Sequence, residues 1–241
     1  MTGTVAVVIV NYGTSDLVIE GVESVLVRDH GGRRVDVHVV DNASPDNDGD
    51  RLEEAFAERG WTAPRVTLWR ETKNRGFGCG NNVALRALAK CDPPPEYVFL
   101  LNSDAWLENE AIDILADAMD ADPQAVAAGS GISQGDGTPA TAAFRFPSMS
   151  SEVARTIGLG FVERLLRYSK VALPPDHPEG PVDWVSGAAV MFRFEPLATQ
   201  SFFDPVYFLY FEEVDLMRRL TRAGGRVLYV PKARVIHLEG V

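Results

Sequence analysis

Four short strand-like runs early in the chain, each closed by polar turn-forming residues, restrict this sequence to very few folds. The first, over 5–10, is an unbroken run of Val, Ala and Ile that ends in Asn11-Tyr12-Gly13. The second, over 35–40, ends in Asp41-Asn42-Ala43-Ser44. The third, over 65–69, leads into Lys73-Asn74-Arg75-Gly76-Phe77-Gly78, and the fourth, over 97–101, into Asn102-Ser103-Asp104. The continuous run over 5–10 marks a strand buried on both faces, and the three later runs read as strands beside it. Between them lie helical patterns, among them Leu17, Val18, Val22, Val25 and Leu26 near a 3.6 period, and the stretches 51–58 and 81–90. A helix over 108–120, closed by Asp122-Pro123, and a strand over 126–129 follow. Alternation of this kind predicts an α/β fold with a parallel, doubly wound sheet and right-handed crossovers.

The remainder reads differently. Residues 130–181 are rich in Gly, Pro and Ser, with one helical block over 151–168. Strand character resumes over 182–194, a helix is expected over 213–222, and short strands over 226–230 and 233–237. No repeat or low-complexity tract appears, so the 241 residues read as one domain, with a first half of about 1–130 and a second of about 131–241. Lys and Arg number 23 against 34 Asp and Glu, a net charge of −11. That balance argues against a nucleic-acid surface. An anionic phosphate substrate would then call for a bound cation. Two cysteines, Cys79 and Cys91, imply no disulfide framework. No apolar run is long enough to span a bilayer, and a cytoplasmic location is expected.

Ligands of an open parallel sheet bind beyond the carboxyl ends of its strands. Asn11, Tyr12, Asp41, Asn74, Gly76, Asn102, Ser103 and Asp104 all fall there. Each is also an ordinary turn or cap residue, a reading that weakens when four consecutive strands repeat it. Asp104, directly after a buried strand, is the sharpest of them: such a carboxylate can hold Mg²⁺ or Mn²⁺ while phosphate oxygens fill the other positions.

The ordered set Val10-Asn11-Tyr12, Asp41-Asn42-x-Ser44, Asn74-x-Gly76-Phe77-Gly78 with Asn81-Asn82, Asn102-Ser103-Asp104, Val185-Ser186-Gly187-Ala188 and Tyr210-Phe211-Glu212-Glu213-Val214-Asp215 resembles the family 2 glycosyltransferases. Within them it is most similar to the bacterial rhamnosyltransferase-like branch. The resemblance spans 5–237. It implies the GT-A fold: a Rossmann-like, mostly parallel central sheet flanked by helices, with a mixed C-terminal acceptor half. It further implies a nucleotide diphosphate sugar as donor, dTDP-rhamnose or another dTDP- or UDP-sugar, bound by Asn11, Tyr12, Asp41, Asn74, Gly76, Asn82, Asn102, Ser103 and Asp104. Asp41 would accept the imide N–H of uracil or thymine. Asp104 holds the last place of the family's Asp-x-Asp motif, whose first place here is Asn102. His237 matches a histidine that completes the metal site in related enzymes.

The implied reaction is a direct displacement at the anomeric carbon with inversion, and it needs a carboxylate base. Glu213 aligns with the family's base, with Glu in place of Asp, and Glu212 is the substitute. On the sequence alone, two acids at a helix start simply suit its dipole, which would also keep such a base ionised. Trp184 and Gly187 are expected to line the sugar and acceptor pocket, with Asp215 a supporting partner. The acceptor would be a hydroxyl of a glycan, a lipid-linked glycan or a small metabolite. The block 151–170, with Arg155, Arg164, Arg167 and Lys170, reads as a protein-packed helix, with weak adsorption to a membrane surface as the alternative.

Three rival classes share parts of this pattern. A dinucleotide oxidoreductase would need Gly-x-Gly-x-x-Gly after the first strand, which is absent. A sugar-phosphate nucleotidyltransferase would need a basic loop there, yet no Lys or Arg precedes residue 28. A degenerate sugar-nucleotide-binding protein of the same fold is the non-enzymatic alternative.

Overall fold

A computed structural model of the protein describes residues 3–146 and 171–238. Strands β1 (Thr4–Asn11), β2 (Arg34–Asp41), β3 (Val66–Arg70) and β4 (Tyr97–Asn102) run parallel in the order β3-β2-β1-β4. Strand alternation divides β1 between two cores. Val5, Val7 and Ile9 join one, and Ala6, Val8 and Val10 the other. Helices α1 (Ser15–Leu26), α2 (Asp48–Glu58) and α4 (Ala111–Ala121) close the first core through Val18, Val22, Leu52, Phe56, Ile112 and Leu115. Helices α3 (Phe77–Leu88), α5 (Phe194–Thr199) and α6 (Glu212–Arg222) close the second through Leu85, Leu197, Leu216 and Leu220. With β1 buried on both faces, Ile9→Ala is expected to cost about 3 kcal/mol of stability.

The second half adds β5 (Ala105–Leu107), β6 (Ala125–Ser133), β7 (Pro139–Ala140), β8 (Ala143–Phe144), β9 (Gly180–Val182), β10 (Trp184–Val185), β11 (Ala189–Arg193) and β12 (Arg226–His237). The sheet continues as β4-β11-β6-β12-β5, so one hydrogen-bonded sheet runs through both halves. It is mostly parallel rather than wholly so. Strand β11 enters at the carboxyl end of β4, with Ala189 opposite Leu101, and runs antiparallel to both β4 and β6.

Three expected elements change. The run 182–194 divides among β9, which pairs β12, β10, which pairs β8, and β11. The two last strands are one, β12, with an irregular register between Val230 and Arg234 around Pro231, which lacks an N–H for the ladder. The helix expected from 108 starts at Ala111, because Trp106 and Leu107 pair with Ile236 and Val235 as β5. The helical block over 151–168, and the basic block over 151–170, lie outside the described residues. Among the described residues no helix is long and apolar enough to cross a membrane.

Candidate active site

The carboxyl ends of β1 and β2 meet in register, with Asn11 beside Asp41. Both continue the side of the sheet that carries Val5, Val7, Ile9 and Val35, Val37, Val39, and so face α1 and α2. The Asn11 amino group donates to Asp41 (3.1 Å), Ser44 Oγ (3.0 Å) and Asp48 (2.8 Å), while its carbonyl accepts the N–H and hydroxyl of Thr14. Asp48 also accepts the Ser15 hydroxyl at 2.6 Å. Asn11 is fully buried and Asp41 only 3% exposed. These two expected ligands are therefore committed to holding the rim together and do not wall the cleft.

Asn42, one residue later, falls on the opposite side, toward α3. Its amino group donates to Asn74 Oδ1 (3.0 Å) and to the Gly76 carbonyl (3.2 Å), and Asn74 Oδ1 also accepts the Gly76 N–H. The Asn42 carbonyl and the Asn74 amino group are left without a hydrogen-bond partner among the described residues. Both residues line a cavity of about 360 Å³ together with Val10, Tyr12, Ser103 and Asp104. Strand parity could have revealed this swap from the sequence. If Val39 faces one core, Asp41 shares that side and Asn42 does not. Tyr12 stands at the cavity edge with half its surface exposed. Gly76, at φ 89°, is crossed so closely by the Phe208 carbonyl that a Cβ would lie 1.8 Å from its oxygen. Asn82, by contrast, is turned inward. Its carboxamide exchanges two hydrogen bonds with the Phe203 backbone (2.8 and 3.1 Å), and the residue is buried and lines neither cavity.

Asp104 and His237 approach each other from the end of β4 and the end of β12, Oδ1 to Nε2 3.0 Å, with Asn102 Nδ2 3.2 Å from the same ring nitrogen. The imidazole thus aims Nε2 at a carboxylate rather than at bulk water, and a proton or a cation can join the two. This donor set fits a divalent cation that takes its remaining ligands from phosphate and water. Among the described residues no third His, Cys, Asp or Glu joins them.

His237 and Asn102 also line a second cavity, of about 210 Å³, with Ser186, Gly187, Glu212 and Glu213. Phe77 and Leu209 wall both cavities. The Asp104–His237 pair stands at their junction, one partner lining each. Glu212 and Glu213 open α6. A helix N-terminus favours their ionised form by up to about 1 kcal/mol. Burial opposes it and wins: it pushes the Glu213 carboxyl up to about 7, against a hydrogen bond from its own backbone, with the neighbouring Glu212 adding to the rise. Glu212 is also raised by burial, and its Oε2 is buried with no hydrogen-bond partner. The Glu213 carboxyl is thus poised near neutrality, where its helix position alone led to the expectation of a charged acid. Gly187 lies against Glu213: a Cβ there would meet the Glu213 Cγ at 3.5 Å, an ordinary van der Waals contact.

Trp184 and Asp215 lie outside these walls. The indole stacks face to face on Phe144 (4.0 Å between centroids) and donates its N–H to the Arg145 carbonyl, so it is a core residue of the β8–β10 pair. Asp215 pairs with Arg219 one helical turn on, at 2.8 Å. Sequence reading missed Asn42, Phe77 and Leu209. The last two gave no signal beyond being apolar beside a motif.

Residues 6–175 match the family model described as glycosyl transferase family 2. The chain is 30% identical over 214 residues to N-acetylglucosaminyl-diphospho-decaprenol L-rhamnosyltransferase of Mycobacterium tuberculosis, covering 85% of this chain and 67% of that protein. It is 27% identical over 169 residues to rhamnosyltransferase WbbL of Escherichia coli, covering 67% of this chain and 60% of that protein. Among solved structures, GalNAc-T7 with UDP, GalNAc and Mn²⁺ shares the fold at TM-score 0.71 and 18% identity, over 99% of this chain and 45% of that one. Mannosyltransferase PcManGT from Pyrobaculum calidifontis, in complex with GDP-Man and Mn²⁺, does so at TM-score 0.64 and 20% identity, over 100% of this chain and 58% of that one. The chain therefore spans about two thirds of its curated relatives and about half of these structures. With the sheet order, the cleft and these matches together, the chain belongs to glycosyl transferase family 2, has the GT-A fold, and is similar to the rhamnosyltransferases of that family.

Proposed function

We propose that this protein is an inverting glycosyltransferase that moves a sugar, rhamnose first among candidates, from a dTDP- or UDP-sugar to a hydroxyl of a lipid-linked glycan. The whole described sheet acts as one catalytic domain, its first half holding the nucleotide and its second the acceptor. The relative from M. tuberculosis, named for a diphospho-decaprenol acceptor and a rhamnosyl donor, motivates both choices. The free thiols Cys79 and Cys91 agree with a cytoplasmic enzyme.

The roles follow from the walls of the cleft. Tyr12 offers its exposed ring to the base, and Asn42 and Asn74 present one acceptor and one donor to the imide edge of uracil or thymine. Asp41 and Asn11 keep that rim in shape from behind, and Ser103 and Asn102 reach the ribose and diphosphate. A divalent cation held by Asp104 and His237 would supply positive charge to the leaving diphosphate. In the second cavity Glu213, ionised, takes the proton of the acceptor hydroxyl as its oxygen forms the new bond to the anomeric carbon. The bond from that carbon to the diphosphate oxygen breaks, and its electron pair leaves with the nucleotide. Attack from the face opposite the leaving group inverts the anomeric centre.

One observation carries this reading: a half-buried carboxyl, Glu213, held near 7, opens onto the same junction as the Asp104–His237 pair. Incubation with dTDP-rhamnose, UDP-sugars and a polyprenyl-diphosphate-linked N-acetylglucosamine, with and without Mn²⁺, tests it, with NMR of the product reporting the anomer. Nucleotide binding without any turnover would favour the degenerate binding protein instead. That alternative draws on Asn102 and Glu213 standing where the family more often has Asp.

A further inference from the structure

The loop that walls both cavities is also the most exposed apolar segment among the described residues. Val206, Phe208, Leu209, Tyr210 and Phe211 are all more than half exposed, five large apolar side chains in six consecutive positions. Their place is fixed rather than incidental. The Phe77 N–H donates to the Phe208 carbonyl at 3.1 Å, the Val206 N–H bonds the Asp204 side chain at 2.9 Å, and the Phe211 carbonyl accepts the Asp215 N–H of α6. Tyr210 and Phe211 both adopt left-handed backbone, φ 69° and 67°, a conformation unfavourable for aromatic residues, and their rings stand out 70% and 66% exposed. Nothing in the core requires that display. A contiguous apolar rim of this kind marks an interaction surface.

The charge pattern selects the partner. No Lys or Arg occurs from Ser201 through Met217, Asp204, Glu212 and Glu213 flank the loop, and the chain carries −11. Electrostatic adsorption to an anionic surface is thus disfavoured, and apolar insertion is what remains. Tyr207 and Tyr210 combine an apolar ring with a hydroxyl suited to the headgroup level. A protein seated here would cover the mouth of the Glu213 cavity, one wall of which is Tyr210. A bilayer would instead bring a lipid-anchored sugar to it.

We propose that the loop over 206–211 inserts its apolar side chains into the interface of a lipid bilayer and so presents the Glu213 cavity to a lipid-linked acceptor. The proposal rests on the acceptor class argued above, but the two can fail separately, because vesicle binding needs no substrate.

The test is flotation of the whole protein with neutral phosphatidylcholine vesicles. A V206S/F211N double variant changes two residues that wall neither cavity, and Asn tolerates the left-handed backbone at 211. The protein is expected to float with these vesicles at low and at high salt, and the variant to partition about tenfold more weakly. Turnover on a short, water-soluble acceptor should be unchanged. As a second measurement, V206W should be quenched by vesicles with brominated acyl chains. Failure to float, or absence of that quenching, overturns the proposal. So does binding that needs anionic lipid and is released by salt, which would point to Arg155, Arg164, Arg167 and Lys170. A variant with a lower melting temperature or a changed molecular mass also overturns it, since the loop would then be covered by this chain or by a second copy.

Discussion

The two rims of the cleft are built on opposite principles. On the donor side, Asn11, Asp41, Ser44 and Asp48 satisfy one another in a buried network, and Asn42, Asn74 and Gly76 interlock beside it. On the acceptor side, Glu212 is 2% exposed with an unpartnered oxygen, Glu213 is held near 7 by burial, and two aromatic residues sit in left-handed backbone. A finished network suits a platform that must hold shape for a rigid base and ribose. Unsatisfied, desolvated carboxyls suit the place where a proton moves, because their cost to the fold is what raises their basicity.

The hardest test of that contrast is Glu213→Gln. If the acceptor rim carries the chemistry, turnover should fall on the order of 10³-fold while nucleotide affinity stays within about twofold, as steady-state rates and calorimetry would show. Retained turnover, or its loss only in Glu212→Gln, would move the base. Next in size, Asp104→Ala should weaken Mn²⁺-dependent binding of UDP or dTDP on the order of 100-fold and leave metal-free binding nearly unchanged. Equal loss in both conditions would make Asp104 a structural residue. On the donor rim, Asn11→Ala removes the donor shared by two buried carboxylates and should cost about 2 kcal/mol in denaturant unfolding. Full stability there would mean the network is not the platform described.

The smallest effect concerns pH. Folding raises the Glu213 pKa from 4.5 to about 7, so the group favours the folded state when protonated. That contribution is complete below about 4.5 and is lost as pH rises to about 7. Glu213→Gln should therefore match the wild type in stability near pH 4 and exceed it by roughly 1–2 kcal/mol above pH 7, after allowance for partial solvent screening. Activity should run the other way in the wild type, rising through neutrality as the base ionises. An inverted or flat stability difference would remove the buried-carboxylate account.

Much of this was legible in the chain. The runs that became β1 and β4 are apolar at every interior position, because both sheet faces are covered there, whereas β2 carries Asp36 and His38 on its less covered face, and the polar ends of all three lie together at one rim. What the sequence reading left out at that rim was facing: alternation from Val39 places Asp41 on the α1–α2 side and Asn42 on the side of the cavity. The placement of Asn82 and Trp184 was illegible for a related reason: a carboxamide and an indole can serve a backbone carbonyl as readily as a ligand, and only tertiary neighbours such as Phe203 and Arg145 fix which contact forms. The reversal at β11 depended on where the chain re-enters the sheet, which no local periodicity encodes. The raised pKa of Glu213 was illegible too, since helix position alone pointed toward an ionised acid and burial overruled it.

The crossing of Gly76 by the Phe208 carbonyl has a kinetic meaning. The turn at Gly76 beside the first cavity and the strip over 206–211 beside the second share one hydrogen bond, from the Phe77 N–H to the Phe208 carbonyl, and no side chain separates them. On the proposed reading, filling the first cavity is expected to set the shape of the second. Product-inhibition patterns should reveal compulsory order, with the nucleotide sugar arriving first and the spent nucleotide departing last.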